Sequence, residues 1–599
     1  MAPRTLYKVL EETTALHGAA PAMYQPSGGK SASNRYRMYS WLEYREGVQQ
    51  VACGLRALGI RKGDIVAMHA EPSANFYIAD LGIISNGSIA AALYTSLPPS
   101  DHVRTLAISE PKALMVENPK TMRALCTAGI QVPLWILLEG EAEGALTLAQ
   151  VRERGRAAMA SDPELFTRMQ EEITPDDSAI LYMTSGATGE PKMGLVSHWA
   201  VGANLDMGPH VLPLGPHDST VVFLPSAHIA QRVVAQFLPM RCGTPVYFSE
   251  GLTRLPAELR SIKPTFFLAP PRVWERMYAS ISTEIKKRPA LVRRIFYTAL
   301  GLGLRASRLR QENKPVPEWM QRSLKIANKL VFHKIRERLG GRLKVAASGA
   351  APLSRDLAQF FEAIGLPLIE GYGLTEGGVA TLNPINASRP GSIGKVLPGV
   401  EVKVAVDGEL LIKSPCLFSG YYKDPDATAA VLKDGWLHTG DVAEIDKDGF
   451  VYITGRKKEL IVSSNGKKIY PARIESLFKM EPIVNQVLLI GDKQPYVTAL
   501  ITVNIAAAES LKGMDEFKGR PPADIAKASA VAEEIDGAVK RVNKQLAPFE
   551  QIRRFRIIDR EFSIDRGELT PTMKVRRKQV IENYKHVVSE LYLGREEFS

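Results

Sequence analysis

Apolar residues are spaced in two different ways along the first half of the chain. Residues 41–60 carry apolar side chains at the three- and four-residue spacing of an amphipathic helix, whereas DIVAMHA and ALMVEN are short continuous apolar runs. Similar short runs return at SAILYM (178–183), at PTFFLAPP (264–271) and at LKVAASGA (343–350). Helices that alternate with buried strands predict a layered α/β fold with mainly parallel sheets.

A long helical insertion is predicted between residues 274 and 343. This stretch is rich in arginine, lysine, leucine and alanine at helical spacing, as in IKKRPALVRRIFYTALGLGLRASRLR. It therefore presents a basic amphipathic face. Two interpretations stay open, a solvated helix surface and a contact with a membrane surface.

After residue 391 the sequence pattern changes to one that predicts short strands separated by Gly and Asp turns, as in DGWLHTGD and DKDGFVYITG. This β-rich segment is expected to close a large domain. A second α+β pattern follows, with ARIESLFKM, NQVLLIG and YVTALITV, and it is long enough to form its own core. The chain is therefore predicted to divide into a large N-terminal domain, residues 1–457, and a small C-terminal domain, residues 458–599.

Composition excludes several classes of protein. With 599 residues, 45% hydrophobic and 23% charged, the chain is an ordinary folded protein, too long for one core and unlike collagen or a disordered chain. Its four cysteines lie far apart without a CxxC pair or a histidine cluster, which argues against a disulfide framework and a structural zinc site.

The net charge and the apolar runs bear on partners and location. A formal charge of +12 suits nucleotides, CoA or phospholipid surfaces, although a solvated basic surface explains it equally well. The N-terminus lacks a continuous apolar segment, and no uncharged apolar run reaches the length of a membrane span. We expect a cytoplasmic protein, at most peripheral to the membrane, that does not bind nucleic acid.

The segment TSGATGEPK (Thr184–Lys192) has the composition of a phosphate-binding loop. Its glycines allow backbone N–H groups to converge on an anion, its hydroxyls can donate to phosphate oxygens, and Lys192 adds a positive charge. It does not fit the Walker A pattern GxxxxGK[ST]. On composition alone, an ordinary turn of small residues is the alternative.

This loop resembles the phosphate-loop signature of the acyl-adenylate-forming superfamily, which includes acyl-CoA synthetases, luciferases and peptide-synthetase adenylation domains. Five more motifs resemble those of the family and occur in its order. They are SGAAPL (348–353), EGYGLTE (370–376), HTGD (438–441), GRKKELI (455–461) and LTPTMK (569–574). Six matches in order identify the chain as a member of this superfamily.

The resemblance implies a nucleotide site and a role for each motif. The implied nucleotide-binding residues are Thr184, Ser185, Gly186, Thr188, Gly189, Lys192, Gly349, Ala350, Ala351, Gly371, Tyr372, Gly373, Thr375, Asp441 and Arg456. Tyr372 would stack on adenine, unless it is a core tyrosine, and Asp441 would accept the ribose hydroxyls. Glu376 and Thr184 would hold Mg²⁺ against the triphosphate.

The resemblance also implies catalytic, hinge and acyl-site residues. Lys574 would neutralise charge as a carboxylate attacks the α-phosphorus, and Thr184 and Glu376 would act beside it. Lys458 occupies the hinge position, about which the small domain would move. His228 would border the acyl site, although a lone histidine could equally be a packed structural residue.

The runs LPSAHIAQRV, KPTFFLAPPRVWERMY and RGELTPTMKVRRKQV resemble the long-chain branch of the acyl-CoA synthetases. The implied activity is a long-chain fatty acid–CoA ligase that uses ATP, Mg²⁺ and coenzyme A, and a homodimer is an open expectation. One alternative is transfer of the acyl group to a carrier-protein phosphopantetheine. Another is a catalytically impaired nucleotide- or lipid-binding relative, because Ala187 and Met193 stand where the family usually has Thr and Gly.

Overall fold

The computed structural model describes residues 3–28, 35–185, 191–312, 314–511, 513–517, 519–570 and 573–593. Of Thr184, Ser185, Pro191 and Asp515 only the backbone is described. Within these ranges, none of the helices combines the length and the apolar character that crossing a membrane requires.

Two large sheets form the N-terminal part. The first has eight strands, parallel from Ser178–Ser185 outwards to Ala145–Thr147 and antiparallel at its other edge. In spatial order its strands are Gly420–Tyr421, Pro191–Ser197, Ser178–Ser185, Ile89–Ala92, Ile65–His69, Ala113–Val116, Trp135–Leu137 and Ala145–Thr147. Three of the predicted apolar runs, DIVAMHA, ALMVEN and SAILYM, therefore become strands of this mainly parallel sheet.

The second sheet has nine strands, parallel in its centre and antiparallel at both edges. In spatial order they are Lys395–Val396, Gly378–Leu382, Leu368–Leu374, Val345–Ser348, Phe266–Ala269, Thr220–Val222, Val246–Phe248, Pro21–Pro26 and Tyr36–Ser40. Helix Ala74–Ser85 is buried on almost every side, which is typical of a helix enclosed by other layers. A single hydrophobic cluster joins this helix to strands of both sheets.

The remaining helices of this part cover the sheets. Helix Trp41–Ala57 begins with a capping box in which Ser40 and Glu43 satisfy each other's backbone N–H groups. The other helices are Leu6–His17, Pro99–Ser109, Pro119–Thr127, Leu148–Ser161, Leu165–Glu171, His198–Val211, Leu238–Cys242, Leu255–Ile262, Pro271–Lys286, Arg355–Ala363 and Pro425–Val431.

The predicted insertion is helical. We call its segments Ala290–Gln311, Glu318–Ala327, Asn328–Phe332 and His333–Glu337 the insertion helices; the third is a π-helical turn. Their inner side is buried through Phe296, Phe332 and Ile335, in one cluster with helix Arg355–Ala363.

A third, five-stranded antiparallel sheet closes the N-terminal part, as the turn-rich sequence after residue 391 predicts. Its strands are Glu401–Val404, Glu409–Lys413, Leu432–Lys433, Trp436–Ile445 and Val451–Arg456. The last strand leads through a 3₁₀ turn, Lys457–Glu459, into the C-terminal part.

The C-terminal part is a small α+β unit with cores of its own. Its strands are Ile461–Val462, Lys468–Ile469, Val484–Ile490, Val497–Val503 and Ile552–Ile558. Its helices are Pro471–Leu477, Ile505–Ala508, Pro522–Ala526, Ser529–Asn543, Arg577–Asn583 and Lys585–Leu591. Buried side chains such as Phe478, Ile501 and Ile535 form a hydrophobic cluster whose members all belong to this part. The predicted fold class, an α/β protein with a large N-terminal and a smaller C-terminal domain, is confirmed.

Candidate active site

A cleft of about 1710 Å³ lies between the C-terminal part and the large part of the chain. Most of the described residues that the motifs single out line this cleft. They are Lys192, His228, Ala350, Ala351, Gly371, Tyr372, Gly373, Thr375, Glu376, Asp441, Arg456, Lys458 and Lys574. Gly349 lies just behind the wall, where an added Cβ would come 3.4 Å from the Gly371 carbonyl oxygen. Gly186, Thr188 and Gly189 lie outside the described residues, as do the side chains of Thr184 and Ser185.

Asp441 forms the centre of a hydrogen-bonded triad on one wall. Its carboxylate accepts a 2.6 Å hydrogen bond from the Tyr372 hydroxyl at Oδ2 and a 2.7 Å bond from Arg456 Nε at Oδ1. Asp441 and Arg456 face each other across neighbouring antiparallel strands, so sheet register sets this geometry. Each carboxylate oxygen has a second lone pair, so Asp441 can accept further hydrogen bonds from a ligand.

Glu376 sits in the tight turn between strands Leu368–Leu374 and Gly378–Leu382. Its Oε1 atom accepts a 2.7 Å hydrogen bond from the Tyr421 hydroxyl. The Lys192 ammonium lies 4.7 Å from the centre of the Tyr421 ring. The tyrosine thereby connects the lysine that ends the phosphate loop to the carboxylate predicted to hold the metal, and its own pKa is raised by burial and by Glu376.

Met193, one of the two departures from the family pattern, points away from the cleft. It is 4% exposed and packs in a hydrophobic cluster with Leu114 and Leu181 on the outer face of the eight-stranded sheet. Its carbonyl accepts a 2.7 Å hydrogen bond from the Tyr422 N–H. Met193 is therefore a core residue of strand Pro191–Ser197, which follows the phosphate loop. Ala187, the other departure, lies outside the described residues.

The SGAAPL turn contains a strained backbone position. Ala350 has φ = 69°, a left-handed conformation that residues other than glycine rarely adopt. The turn is anchored by Glu370, whose Oε1 accepts a 3.0 Å hydrogen bond from the Leu353 N–H. Burial raises the pKa of Glu370 to about 8, so this carboxyl group is largely protonated at neutral pH.

His228 lies at the edge of the cleft, ahead of a π-helical turn at Gln231–Phe237. Its Nδ1 atom accepts a 3.1 Å hydrogen bond from the Ala230 N–H. Burial and the nearby positive charge of Lys574 lower the pKa of His228 to about 3. The ring is therefore neutral at physiological pH, with its proton on Nε2, where it can donate one hydrogen bond.

Lys574 is presented by a tight loop of the C-terminal part. The Thr570 N–H donates a 2.8 Å hydrogen bond to the Lys574 carbonyl, and the Lys574 N–H donates a 3.1 Å bond to the Thr570 hydroxyl. The side chain keeps contact with solvent in the open cleft, while surrounding protein partly desolvates the ammonium. This desolvation and repulsion from Arg456 lower the pKa of Lys574 to about 8.

This lowered pKa predicts a pH dependence. Since the folded enzyme loses the proton of Lys574 near pH 8 rather than near 10.5, kcat/KM for adenylate formation should fall as pH rises through about 8. The profile is obtained from pyrophosphate release between pH 6 and 10 at low ATP. In Lys574→Arg the guanidinium stays protonated, and the alkaline fall should vanish. A fall at the same pH in that variant would contradict the assignment.

Polar contacts join the C-terminal part to helix Pro271–Lys286 across the cleft. Arg272 donates hydrogen bonds to the Asn485 backbone carbonyl, at 2.5 Å, and to its side-chain oxygen. Lys479 forms a 2.8 Å ion pair with Glu275, one turn further along the helix. These contacts hold the small part in the orientation that brings Lys574 into the cleft.

Comparison with known proteins identifies the family. The family described as AMP-binding enzyme matches residues 10–422, and the AMP-binding enzyme C-terminal domain matches residues 458–596. The chain belongs to the AMP-binding enzyme family. The resemblance to acyl-adenylate-forming enzymes, drawn from six motifs, is thus confirmed.

Similar proteins cover nearly the whole chain. The long-chain-fatty-acid–CoA ligase FadD15 of Mycobacterium bovis is 33% identical over 554 residues, which are 91% of this chain and 90% of that protein. The long-chain-fatty-acid–CoA ligase ACSBG2 of Xenopus laevis is 30% identical over 98% of this chain and 84% of its own length.

Solved structures agree on the fold of this AMP-binding enzyme. The anthranilate CoA ligase AuaEII, crystallised with anthranoyl-AMP, superposes with a TM-score of 0.74 at 19% identity, over 98% of this chain and 99% of its own. The adenylation domain of a carboxylate reductase from Mycobacterium chelonae gives a TM-score of 0.75 at 22% identity, covering 99% of this chain and 92% of its own.

Sequence reasoning missed three residues that the structure places in or beside the cleft. Tyr421 lies in a two-residue strand whose pairing with Gly194 is visible only in the folded sheet. Arg272 and Glu275 belong to the run PPRVWERMY, which resembles the long-chain branch, although that resemblance gives these two charges no role. Their spacing of three residues on one helix face was the available signal.

Proposed function

We propose that this chain is a long-chain fatty acid–CoA ligase that forms an acyl-adenylate and then an acyl-CoA. The observation that carries the proposal is the convergence in one cleft of Lys574, the Asp441 triad, and Glu376 and Lys192 on either side of Tyr421. The names of relatives that span nearly the whole chain support the fatty acid as substrate.

The proposed reaction has two steps. In the first, a carboxylate oxygen of the acid bonds to the α-phosphorus of ATP, and pyrophosphate leaves. In the second, the CoA sulfur bonds to the acyl carbon, the thiol proton is lost to solvent, and AMP leaves. The Lys574 ammonium stabilises the charge that develops on the α-phosphate in the first step. Asp441 and Tyr372 hold the nucleoside, and Arg456 fixes the Asp441 carboxylate.

The donor set fits Mg²⁺ bound together with ATP. Within the described residues no group of three or more His, Cys, Asp or Glu side chains could hold a metal by itself. Magnesium commonly takes one or two carboxylates and completes its shell with phosphates and water, so Glu376 suits this role. When bound, the ion neutralises charge on the triphosphate.

A chain-length series tests the proposed substrate. Pyrophosphate release and acyl-CoA formation are measured with acetate, benzoate, octanoate and palmitate, with and without CoA. We expect the highest kcat/KM for palmitate, because each buried CH₂ contributes about 0.8 kcal/mol of binding. A higher value for acetate or benzoate would contradict the substrate. Transfer to a carrier-protein phosphopantetheine but not to CoA would favour the alternative acceptor.

We also propose that residues 1–457 and 458–599 are the two domains, joined at Lys458. The separate hydrophobic cores on either side of this point and the start of the C-terminal family match at residue 458 support the division. Lys457 anchors the large side through ion pairs with Asp407 and Glu409, at 2.6 and 3.0 Å. Rotation would therefore begin at the next residue.

Lys458→Pro is expected to impair one half-reaction much more than the other. Proline fixes φ near −65°, so the residue can no longer absorb the backbone change that a hinge requires. Adenylate formation and thioester formation are measured separately on the same folded variant. Lys458→Ala, which keeps the backbone free, is the matched control. Equal loss of both steps in the proline variant would indicate general destabilisation instead of a hinge.

Two finer expectations stay predictions. A homodimer is tested by light scattering of the purified chain, and a cytoplasmic or membrane-peripheral location by fractionation of cells.

A further inference from the structure

We propose that the outer face of the insertion helices is a docking surface for an anionic lipid bilayer. The proposal does not depend on the ligase activity, and its test measures binding instead of catalysis.

The first observation is where the net charge lies. Residues 286–338 contain 15 lysines and arginines and three acidic residues, whereas the rest of the chain contains 61 of each. The whole formal charge of +12 therefore comes from 53 residues. Elsewhere the protein is balanced, so any long-range attraction to an anionic surface is directed at the insertion helices.

The second observation is that the acidic residues of this segment balance only a small part of its positive charge. Its three acidic residues each pair with a neighbour in the segment: Glu312 with Lys314, Glu318 with Arg322 and Glu337 with His333. Thirteen of the 15 basic side chains are exposed, so most of the excess charge faces solvent. Arg336 and Arg338 are half-buried, and Arg338 pairs with Glu284 just before the segment. Arg293 and Arg294, near the start of helix Ala290–Gln311, are both exposed.

The third observation is exposed apolar surface among these charges. Of the 20 large hydrophobic side chains that are exposed within the described ranges, seven lie between residues 291 and 330. On the first helix Leu291 and Ile295, four residues apart and on one face, are 70% and 49% exposed. On the next segments Trp319, Ile326 and Leu330 are 55%, 62% and 63% exposed, at spacings of seven and four that keep them on one face.

This pattern selects lipid over other anionic partners. A helix with large apolar side chains on its outer face and flanking Lys and Arg lies in a bilayer interface, its apolar residues at the acyl boundary and its cations at the headgroups. Single-stranded nucleic acid needs aromatic platforms for base stacking. Among the exposed large side chains here, aliphatic residues predominate, beside Tyr297 and Trp319.

The C-terminal end of the first insertion helix reaches the cleft. Arg308 and Gln311, in the last turn of helix Ala290–Gln311, also line the cleft that contains Lys574 and His228. A bilayer bound along this helix would therefore lie beside the mouth of the candidate active site.

Vesicle flotation tests the surface. The full-length protein is mixed with vesicles of equimolar phosphatidylcholine and phosphatidylglycerol, or of phosphatidylcholine alone, at increasing salt. We expect binding to the anionic vesicles that weakens with salt. Arg293→Gln/Arg294→Gln should lower the partition coefficient about 30-fold, from about 1 kcal/mol per basic residue at the surface. Lys120→Gln/Arg123→Gln, which removes two exposed charges from helix Pro119–Thr127, should leave it unchanged.

A second variant distinguishes apolar contact with the bilayer from attraction by charge. Leu291→Ser/Ile295→Ser shortens two apolar side chains that are 70% and 49% exposed, so the effect on the fold should be small. Binding should become weaker and more sensitive to salt. The proposal is overturned if the protein does not float with the anionic vesicles, or if both pairs of basic substitutions reduce binding equally. Binding of a single-stranded oligonucleotide that depends on Arg293 and Arg294, without binding to vesicles, would overturn it in favour of nucleic acid.

Discussion

Lys574→Ala is expected to slow adenylate formation by about 10²-fold or more, the usual effect of removing one oriented donor to a transition state. Lys574 enters the cleft on a loop of the C-terminal part, so in its proposed role it would act only while that part is docked as observed. Thioester formation from supplied acyl-AMP and CoA should be retained. Adenylation is followed by pyrophosphate release and thioester formation by acyl-CoA appearance.

The control for this variant is Lys544→Ala, which removes an exposed lysine of the same C-terminal part outside the cleft. It should leave both half-reactions unchanged. Undiminished adenylation in Lys574→Ala would remove this residue from the catalytic set. A comparable loss in thioester formation would instead show that one docked orientation serves both steps.

Glu376→Gln is expected to reduce adenylation by about 10²-fold and to raise the Mg²⁺ concentration needed for half-maximal activity. The substituted amide has the same shape and can still accept a hydrogen bond from Tyr421, so the turn should be preserved. What is lost is the negative charge that we propose holds the metal against the triphosphate. Pyrophosphate release across a magnesium titration measures both effects.

Tyr421→Phe distinguishes the two roles that Glu376 could have. It deletes the hydrogen bond to the carboxylate but leaves the charge in place, so only a few-fold loss is expected. If Tyr421→Phe were as impaired as Glu376→Gln, with an unchanged magnesium requirement, Glu376 would serve to position the turn instead of binding metal.

The sequence was most informative where chemistry is local. The motifs around Tyr372, Asp441 and Lys574 are short, so their resemblance to those of the family could be recognised from residue type and order alone, and the roles that it implies stay predictions. The structure adds that Tyr372 and Arg456 both bond to Asp441. That triad depends on the register of strands from different motifs, which apolar spacing does not determine.

Other features could not be predicted from local patterns. Met193 breaks the family pattern in a loop, yet the structure buries it, because alternation along strand Pro191–Ser197 turns its side chain to the outer face of the sheet. Arg272 reaches Asn485, 213 residues away in sequence, and such pairs arise only when two separately folded parts meet. The helical insertion was predicted, whereas its outward-facing aliphatic residues became evident only once burial was known.

The bonds that hold the small part against helix Pro271–Lys286 have a thermodynamic consequence. The contacts described with this helix are hydrogen bonds and an ion pair at Arg272 and Glu275. Apolar contact with the large part occurs where Met480 packs against its core and where the Tyr470 ring lies against Gly455. When such groups separate, water takes the place of each partner, so little free energy is lost. A large hydrophobic interface would have given one orientation a much lower free energy than any other. If the small part rotates as proposed, polar contacts of this kind would keep the two orientations close in free energy, so that the charge of the bound nucleotide could decide between them.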